Sequence, residues 1–122
     1  MKLDAIEIKA FVPARDLAIS KALYVALGFE LPWSSPDLAY VRHGSTSFLL
    51  QQFFVPEHAS NFMMHLLVEN VDDWYQHVIA SGVAQRYGTR IEAPKDRPWA
   101  MRDFPLVDPA GVLWRIAQNI PG

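Results

Sequence analysis

The sequence predicts an α+β fold: two tandem βαβββ modules whose sheets curve around a cleft. Three observations carry this. The chain repeats itself, because Asp16 and Asn70, Leu17 and Val71, and Gly28 and Gly82 each stand 54 residues apart (70 − 16 and 82 − 28). One helix, with its cap and its stop, thus occurs twice in equal register. Apolar and polar residues alternate in the segments flanking each helix, with the period of two that strands require. Finally, residues 98–116 read as an aromatic loop, a strand, a tight turn and a second strand. Helices packed on one face of mixed sheets leave the opposite faces free to line a cleft.

Taken in order, residues 5–12 alternate. Ile6, Ile8 and Ala10 lie on one face, Glu7, Lys9 and Phe11 on the other, and Pro13 closes the strand. Asp16 is an N-cap, Leu17, Leu23 and Leu27 line one side of a helix over 17–27, and Gly28 stops it. Strands follow over 29–34, 38–43 and 47–53, separated by turns at Ser35-Pro36-Asp37 and His43-Gly44-Ser45. The pattern then restarts with a strand over 62–68. Asn70 caps the second helix, which carries Asp72 and Asp73 in its first turn, where carboxylates complement the helix dipole. A strand is expected over 83–87 and a proline-rich loop over 92–101. In the last hairpin Asp108-Pro109-Ala110-Gly111 forms the turn: Pro presets φ, Gly permits positive φ, and Asp bonds the backbone ahead. The expected organisation is a single domain over 1–122, with one module over about 4–53, a linker over 54–61 and a second module over about 62–118.

Composition narrows the function. At 122 residues, with 51% hydrophobic and 20% charged residues, the chain is an ordinary globular domain. A net charge of −2 without a basic run argues against a nucleic-acid partner. The absence of Cys removes disulfides, thiol nucleophiles and thiolate metal sites. No window of about eighteen apolar residues occurs, and the N-terminus lacks the apolar stretch of a signal peptide. The expectation is a cytoplasmic protein with no membrane partner.

The paired modules, with Leu23-Tyr24-x3-Gly28-Phe29 and Asp108-Pro109-x-Gly111, resemble the vicinal-oxygen-chelate superfamily. That superfamily holds glyoxalase I, extradiol dioxygenases, fosfomycin-resistance enzymes and bleomycin-resistance proteins. Phe48-Leu49-Leu50-Gln51 and Pro98-Trp99-x-Met101-Arg102-x-Phe104-x3-Asp108-Pro109-x-Gly111 are most similar to the bleomycin-resistance branch. In its enzymes the resemblance implies four inward metal ligands, usually His, Glu, His and Glu. Aligned on the helix caps, those positions are Lys9, Gln51, Met63 and Arg115 here. Two cations, an amide and a thioether are poor ligands for a hard or borderline divalent ion. The resemblance therefore implies a metal-free, cofactor-free binder like the bleomycin-resistance proteins. Such a protein is a homodimer with ligand clefts at its interface, and modules swapped between chains are common in the family. The alternative is a metal-dependent lyase, isomerase or dioxygenase.

The register also names the cleft. Glu7, Lys9, Phe11, Gln51, Phe53, Met63, His65, Leu113 and Arg115 fall on the inner faces. An Arg on an otherwise apolar strand needs a partner or a ligand. Either Glu7, Lys9 and Arg115 form an ion-paired network, or they contact a ligand. His65 either stacks on a ligand or is a satisfied wall residue. Trp33 and Trp99, on or beside loops, either close a pocket or pack at a subunit interface, and Tyr40 is a third aromatic candidate. The candidate ligand-binding set is therefore Glu7, Trp33, Tyr40, Gln51, Phe53, His65, Trp99 and Arg115, with no catalytic residue, and the expected ligand is a planar aromatic or antibiotic-like small molecule. His77 is expected to be solvated, and His43 to be a turn residue.

Overall fold

The computed structural model describes all residues 1–122. Its elements are β1 (Phe11–Ala14), α1 (Leu17–Ala26), β2 (Glu30–Ser34), β3 (Leu38–His43), β4 (Thr46–Gln52), α2 (Pro56–Ala59), β5 (Met63–Leu67), α3 (Val71–Ser81), α4 (Val83–Tyr87), β6 (Arg90–Ile91), β7 (Lys95–Arg97), β8 (Met101–Val107) and β9 (Leu113–Asn119). The strands build two sheets on one plan. The first is ordered β1-β4-β3-β2 and the second β5-β9-β8-β6, with β7 added along β8. In each sheet the first strand runs parallel to the last, and the other pairs are antiparallel. The repeat in sequence is a repeat in space, and the class is α+β. No helix is long and apolar enough to cross a membrane.

The two long helices start alike. Asp16 accepts a hydrogen bond from the Ile19 N–H (3.3 Å) and Asn70 from the Asp73 N–H (3.0 Å). The strands add a second cap that the repeat did not reveal. Gln52, ending β4, accepts from the Leu17 N–H (2.8 Å), and Gln118, near the end of β9, accepts from the Val71 N–H (2.9 Å). Each glutamine satisfies one of the free N–H groups of a helix start and ties that helix to its own sheet.

Residues on the helix-facing side of the strands are buried. Val12, Ala39, Val41, Phe48 and Leu50 of the first sheet join Phe104, Leu106, Trp114 and Ile116 of the second in one hydrophobic cluster, together with Leu23 and Tyr24 of α1 and Val71 and Val78 of α3. At its centre the Tyr24 hydroxyl donates to Asp108 Oδ2 (2.6 Å) and accepts from Trp114 Nε1 (2.8 Å). The Tyr24 ring meets those of Phe29, Phe48 and Trp114 at centroid distances of 5.9, 5.2 and 5.7 Å, edge-on or tilted, the arrangement that aromatic quadrupoles favour. Asp108 Oδ1 accepts from the Ala110 and Val112 N–H groups (2.8 and 3.0 Å), and Gly111 takes φ +95°, so the expected turn forms.

Four expectations need correction. The first strand lies at Phe11–Ala14, not over 5–12. Its pairing with β4 begins at Phe11 opposite Leu49, and in that register residues before Ile8 lie beyond the start of β4. Ile6 and Ile8 are 94% and 95% exposed and do not join the core. Pro13 does not end the strand. It lies opposite Gln51, and an edge strand tolerates its missing donor. Residues 83–87 are a short helix, not a strand. Gly82 adopts φ +74° and reverses the chain, after which the Arg86 N–H donates to the Gly82 carbonyl and the Arg86 side chain to the Ser81 carbonyl. Finally, part of the expected linker coils into α2 and part of the expected loop over 92–101 pairs as β7.

Burial, and next the charge of Asp108, push the Tyr24 phenol well above its ordinary value of 10.0. For Asp108, burial outweighs the hydrogen bonds it accepts, and its carboxyl lies above the usual 3.8. The folded chain thus holds the Tyr24 proton more tightly than the unfolded chain does. That contribution to stability is full below the unfolded pKa and declines as pH rises beyond it. Tyr24→Phe is expected to lower the unfolding free energy by about 2 kcal/mol at neutral pH, since a buried carboxylate and an indole N–H each lose a partner. The gap from wild type should narrow above about pH 10. Urea denaturation across that range measures both effects.

Candidate functional site

Because alternate residues of each strand enter the core, the other half of each strand is left on an outer surface away from the helices. On the first sheet this surface carries Phe11, Trp33 and Phe53, each about half exposed, with the less exposed Tyr40 and Gln51. Trp33 lies directly opposite Tyr40, Tyr40 opposite Leu49, and Leu38 opposite Gln51. The chain before β1 adds polar groups. Glu7 pairs with Lys9, accepts from the Tyr40 hydroxyl (3.4 Å) and from the Ser47 hydroxyl (3.3 Å), while Lys9 Nζ sits 4.7 Å from the Tyr40 ring centroid. Glu7, Trp33 and Tyr40 are thus brought together, with Gln51 farther along the same face. Phe53 lies just past β4, bridged to Ala14.

On the second sheet Met63 lies opposite Leu113, His65 opposite Arg115, and Arg115 opposite Pro105. The expected network of Glu7, Lys9 and Arg115 does not form as one unit. Glu7 and Lys9 pair with each other, and Arg115 NH1 donates instead to Asp103 Oδ1 (3.4 Å), which also accepts from Arg97 Nε (2.8 Å). Asp103 is only 1% exposed. Sequence reasoning missed it, although the alternation Asp103, Pro105, Val107 against Phe104, Leu106 places it on the inner face one strand from Arg115. Trp99 is 59% exposed on the tight turn between β7 and β8, beside Ala100 at φ +61°. Arg115 lines a depression of about 560 Å³ and His65 a narrower groove of about 270 Å³.

The two inner faces do not close on each other within one chain. The halves meet instead through α1 and α4 and through the shared core. His77 is exposed, as expected, yet its ring reaches that seam. Its Nε2 lies 2.7 Å from the Leu27 carbonyl oxygen, and a Cβ at Gly28 would approach Nε2 to 3.4 Å. His43 also does more than end a strand, since its ring packs 5.4 Å from Phe29 and 5.0 Å from Trp74 between centroids.

The positions where the superfamily's enzymes carry metal ligands do not fit a divalent ion. Lys9 and Arg115 are cations engaged by Glu7 and Asp103, and Gln51 and Met63 add only an amide and a thioether. Neutral imidazole or carboxylate donors are what such an ion requires.

Helices on one side of two like sheets, with polar and aromatic groups on the opposite faces, define a paired-module α+β scaffold with open inner faces. The sequence model of the Glyoxalase/Bleomycin resistance protein/Dioxygenase superfamily matches residues 2–116, and the chain belongs to that superfamily. A bleomycin resistance protein of Klebsiella pneumoniae is 28% identical over 114 residues, which cover 88% of each chain. Among solved structures, a bleomycin-binding protein complexed with bleomycin superposes with a TM-score of 0.81 at 25% identity, over 94% of this chain and 99% of that one. The bleomycin-binding protein of bleomycin-producing Streptomyces verticillus, complexed with copper(II)-bleomycin, superposes with a TM-score of 0.78 at 20% identity, over 99% of this chain and 100% of that one. This last likeness is one of fold.

Asp103→Ala is expected to destabilise the protein by about 2 kcal/mol. It leaves Arg97 and Arg115 facing each other without their anion, yet both guanidinium groups keep some water. Chemical denaturation of this variant beside Asp103→Asn, which keeps an acceptor and should lose less, checks the assignment.

Proposed function

We propose that this chain is a small-molecule binding protein of the bleomycin-resistance type. It sequesters a planar aromatic ligand without chelating a metal and without converting the ligand chemically. The observation that carries this reading is the aromatic inner surface: Trp33, Tyr40, Phe53 and Trp99, with Phe11, stand outside the buried cluster that holds Tyr24, Phe29, Phe48, Phe104 and Trp114. Flat, rigid rings with a polar edge suit stacking on a heteroaromatic ligand. Glu7, Gln51, His65 and Arg115 supply polar contacts around them. Bleomycin is the first ligand to test, because the Klebsiella pneumoniae relative and the structural neighbour at 25% identity carry it in their names.

We further propose that the working unit is a homodimer of single-domain chains, in which an inner face of one copy closes over an inner face of the other. Two open faces support this, as does the N-terminal arm, where Leu3, Ile6 and Ile8 are almost fully exposed. A lone monomer rarely leaves that much contiguous apolar surface in water. In a dimer of this kind the aromatic groups of the first sheet and Arg115 of the second line one cleft from two chains.

Titration of the metal-stripped protein with bleomycin, followed by tryptophan fluorescence, is expected to show saturable quenching at about one drug per subunit, and Trp99→Ala should weaken it by about tenfold. An unchanged signal at high micromolar drug would remove bleomycin as the ligand. Analytical ultracentrifugation is expected to show a dimer, and Ile6→Asp with Ile8→Asp should shift it toward monomer while circular dichroism shows the fold retained; the melting temperature should fall only by the stabilisation that association supplies.

A further inference from the structure

We infer that the depression on the inner face of the second sheet binds the anionic head of a small organic acid: a carboxylate or phosphate carried on an apolar body. This deepens the proposed function and rests on its reading of the inner face as a ligand surface. The cavity of about 560 Å³ has the size of small-molecule sites. Its walls present Arg90, Lys95, Arg97 and Arg115, and Glu92 is the one acid among its lining residues.

The cations are organised and not merely collected. Asp103, buried beneath them, holds two guanidinium groups side by side by accepting one N–H from Arg97 and one from Arg115. A guanidinium carries five N–H donors in a planar fork. These two spend one donor each on Asp103 and make no other hydrogen bond within the chain. Neither Arg90 nor Lys95 has an ion-pair partner. Four cations against Glu92 and Asp103 leave a local charge of 4 − 2 = +2, in a chain whose net charge is −2. Oriented forks with unspent donors match the geometry of carboxylate and phosphate oxygens.

A further feature indicates a ligand in place of solvated surface. Pro105 and Leu113, from neighbouring strands, add apolar surface below the cations, suited to the body of an organic acid and not to a hydrated inorganic ion.

The test is calorimetric titration of the full chain with 2-naphthoate, phenyl phosphate and the neutral 2-naphthamide at low salt. At least one acid is expected to bind about tenfold tighter than the amide, the margin of a charge-assisted hydrogen bond. Whichever acid binds tighter identifies the head group. Arg97→Gln and Arg115→Gln should each weaken that acid about tenfold and leave the amide unmoved. Should either variant fold poorly, Arg90→Glu and Lys95→Glu, which do not touch Asp103, carry the same expectation with an unchanged melting temperature. Acids that bind no tighter than the amide, or that bind all four variants as well as wild type, would overturn the inference. A parallel bleomycin titration separates the two readings. Drug saturation with no preference for the acids leaves sequestration intact and removes the anionic subsite. Acid binding without drug binding keeps the subsite and removes bleomycin.

Discussion

The hydrogen bonds joining Tyr24, Asp108 and Trp114 set the position of one half of the molecule against the other. Tyr24 belongs to α1, Asp108 begins the hairpin turn of the second sheet, and Trp114 lies on β9. One carboxylate therefore does two jobs. Its Oδ1 closes the turn through the Ala110 and Val112 N–H groups, and its Oδ2 anchors a helix 84 residues earlier in the chain. Burial of that carboxylate is costly, and the cost is large enough to raise its pKa despite the three hydrogen bonds it accepts. Such a group is tolerable only if every partner is in place, so the network admits one docking of the halves. That docking also decides where the two inner faces point, because both sheets bury the opposite face in the same core.

What the sequence revealed was local. Helix caps, the αL glycines and the alternation of core and inner residues depend on neighbours a few positions away, and they recur in the structure except before β1, where Ile6 and Ile8 stay outside the core. What it concealed depends on partners far along the chain. The first strand is displaced toward Phe11–Ala14 because its extent is set by its pairing with β4, which residues 5–12 do not encode. Residues 83–87 carry a pattern too short to separate strand from helix, and the backbone reversal at Gly82 decides it. Gln52 and Gln118 look like ordinary strand-end residues until the helix starts are brought beside them.

The candidate site divides the same way. Parity alone placed Gln51, Met63, His65 and Arg115 on inner faces. It could not tell that Arg115 would meet Asp103 and not Glu7, since that choice rests on the register of β8 against β9. Nor could it tell that the faces remain open in one chain, which follows from the halves meeting through their helices. The eight candidate residues therefore fall into two groups: Glu7, Trp33, Tyr40, Gln51 and Phe53 with the first sheet, and His65, Trp99 and Arg115 with the second.

The separation of core from inner face also explains how one scaffold can host different chemistry. Arg115 lies between Trp114 and Ile116, which are 5% and 3% exposed. Changing residue 114 or 116 would cost packing in the core, whereas residue 115 answers only to Asp103 and to whatever occupies the inner face. Gln51, beside the fully buried Leu50, is placed in the same way. Four chelating residues can thus become Lys9, Gln51, Met63 and Arg115 while the buried cluster, the caps and the Tyr24 network stay as they are. The fold fixes where a ligand can lie, and the alternate residues of a few strands fix what it can be. In this chain those residues present aromatic surface on one sheet and held cations on the other.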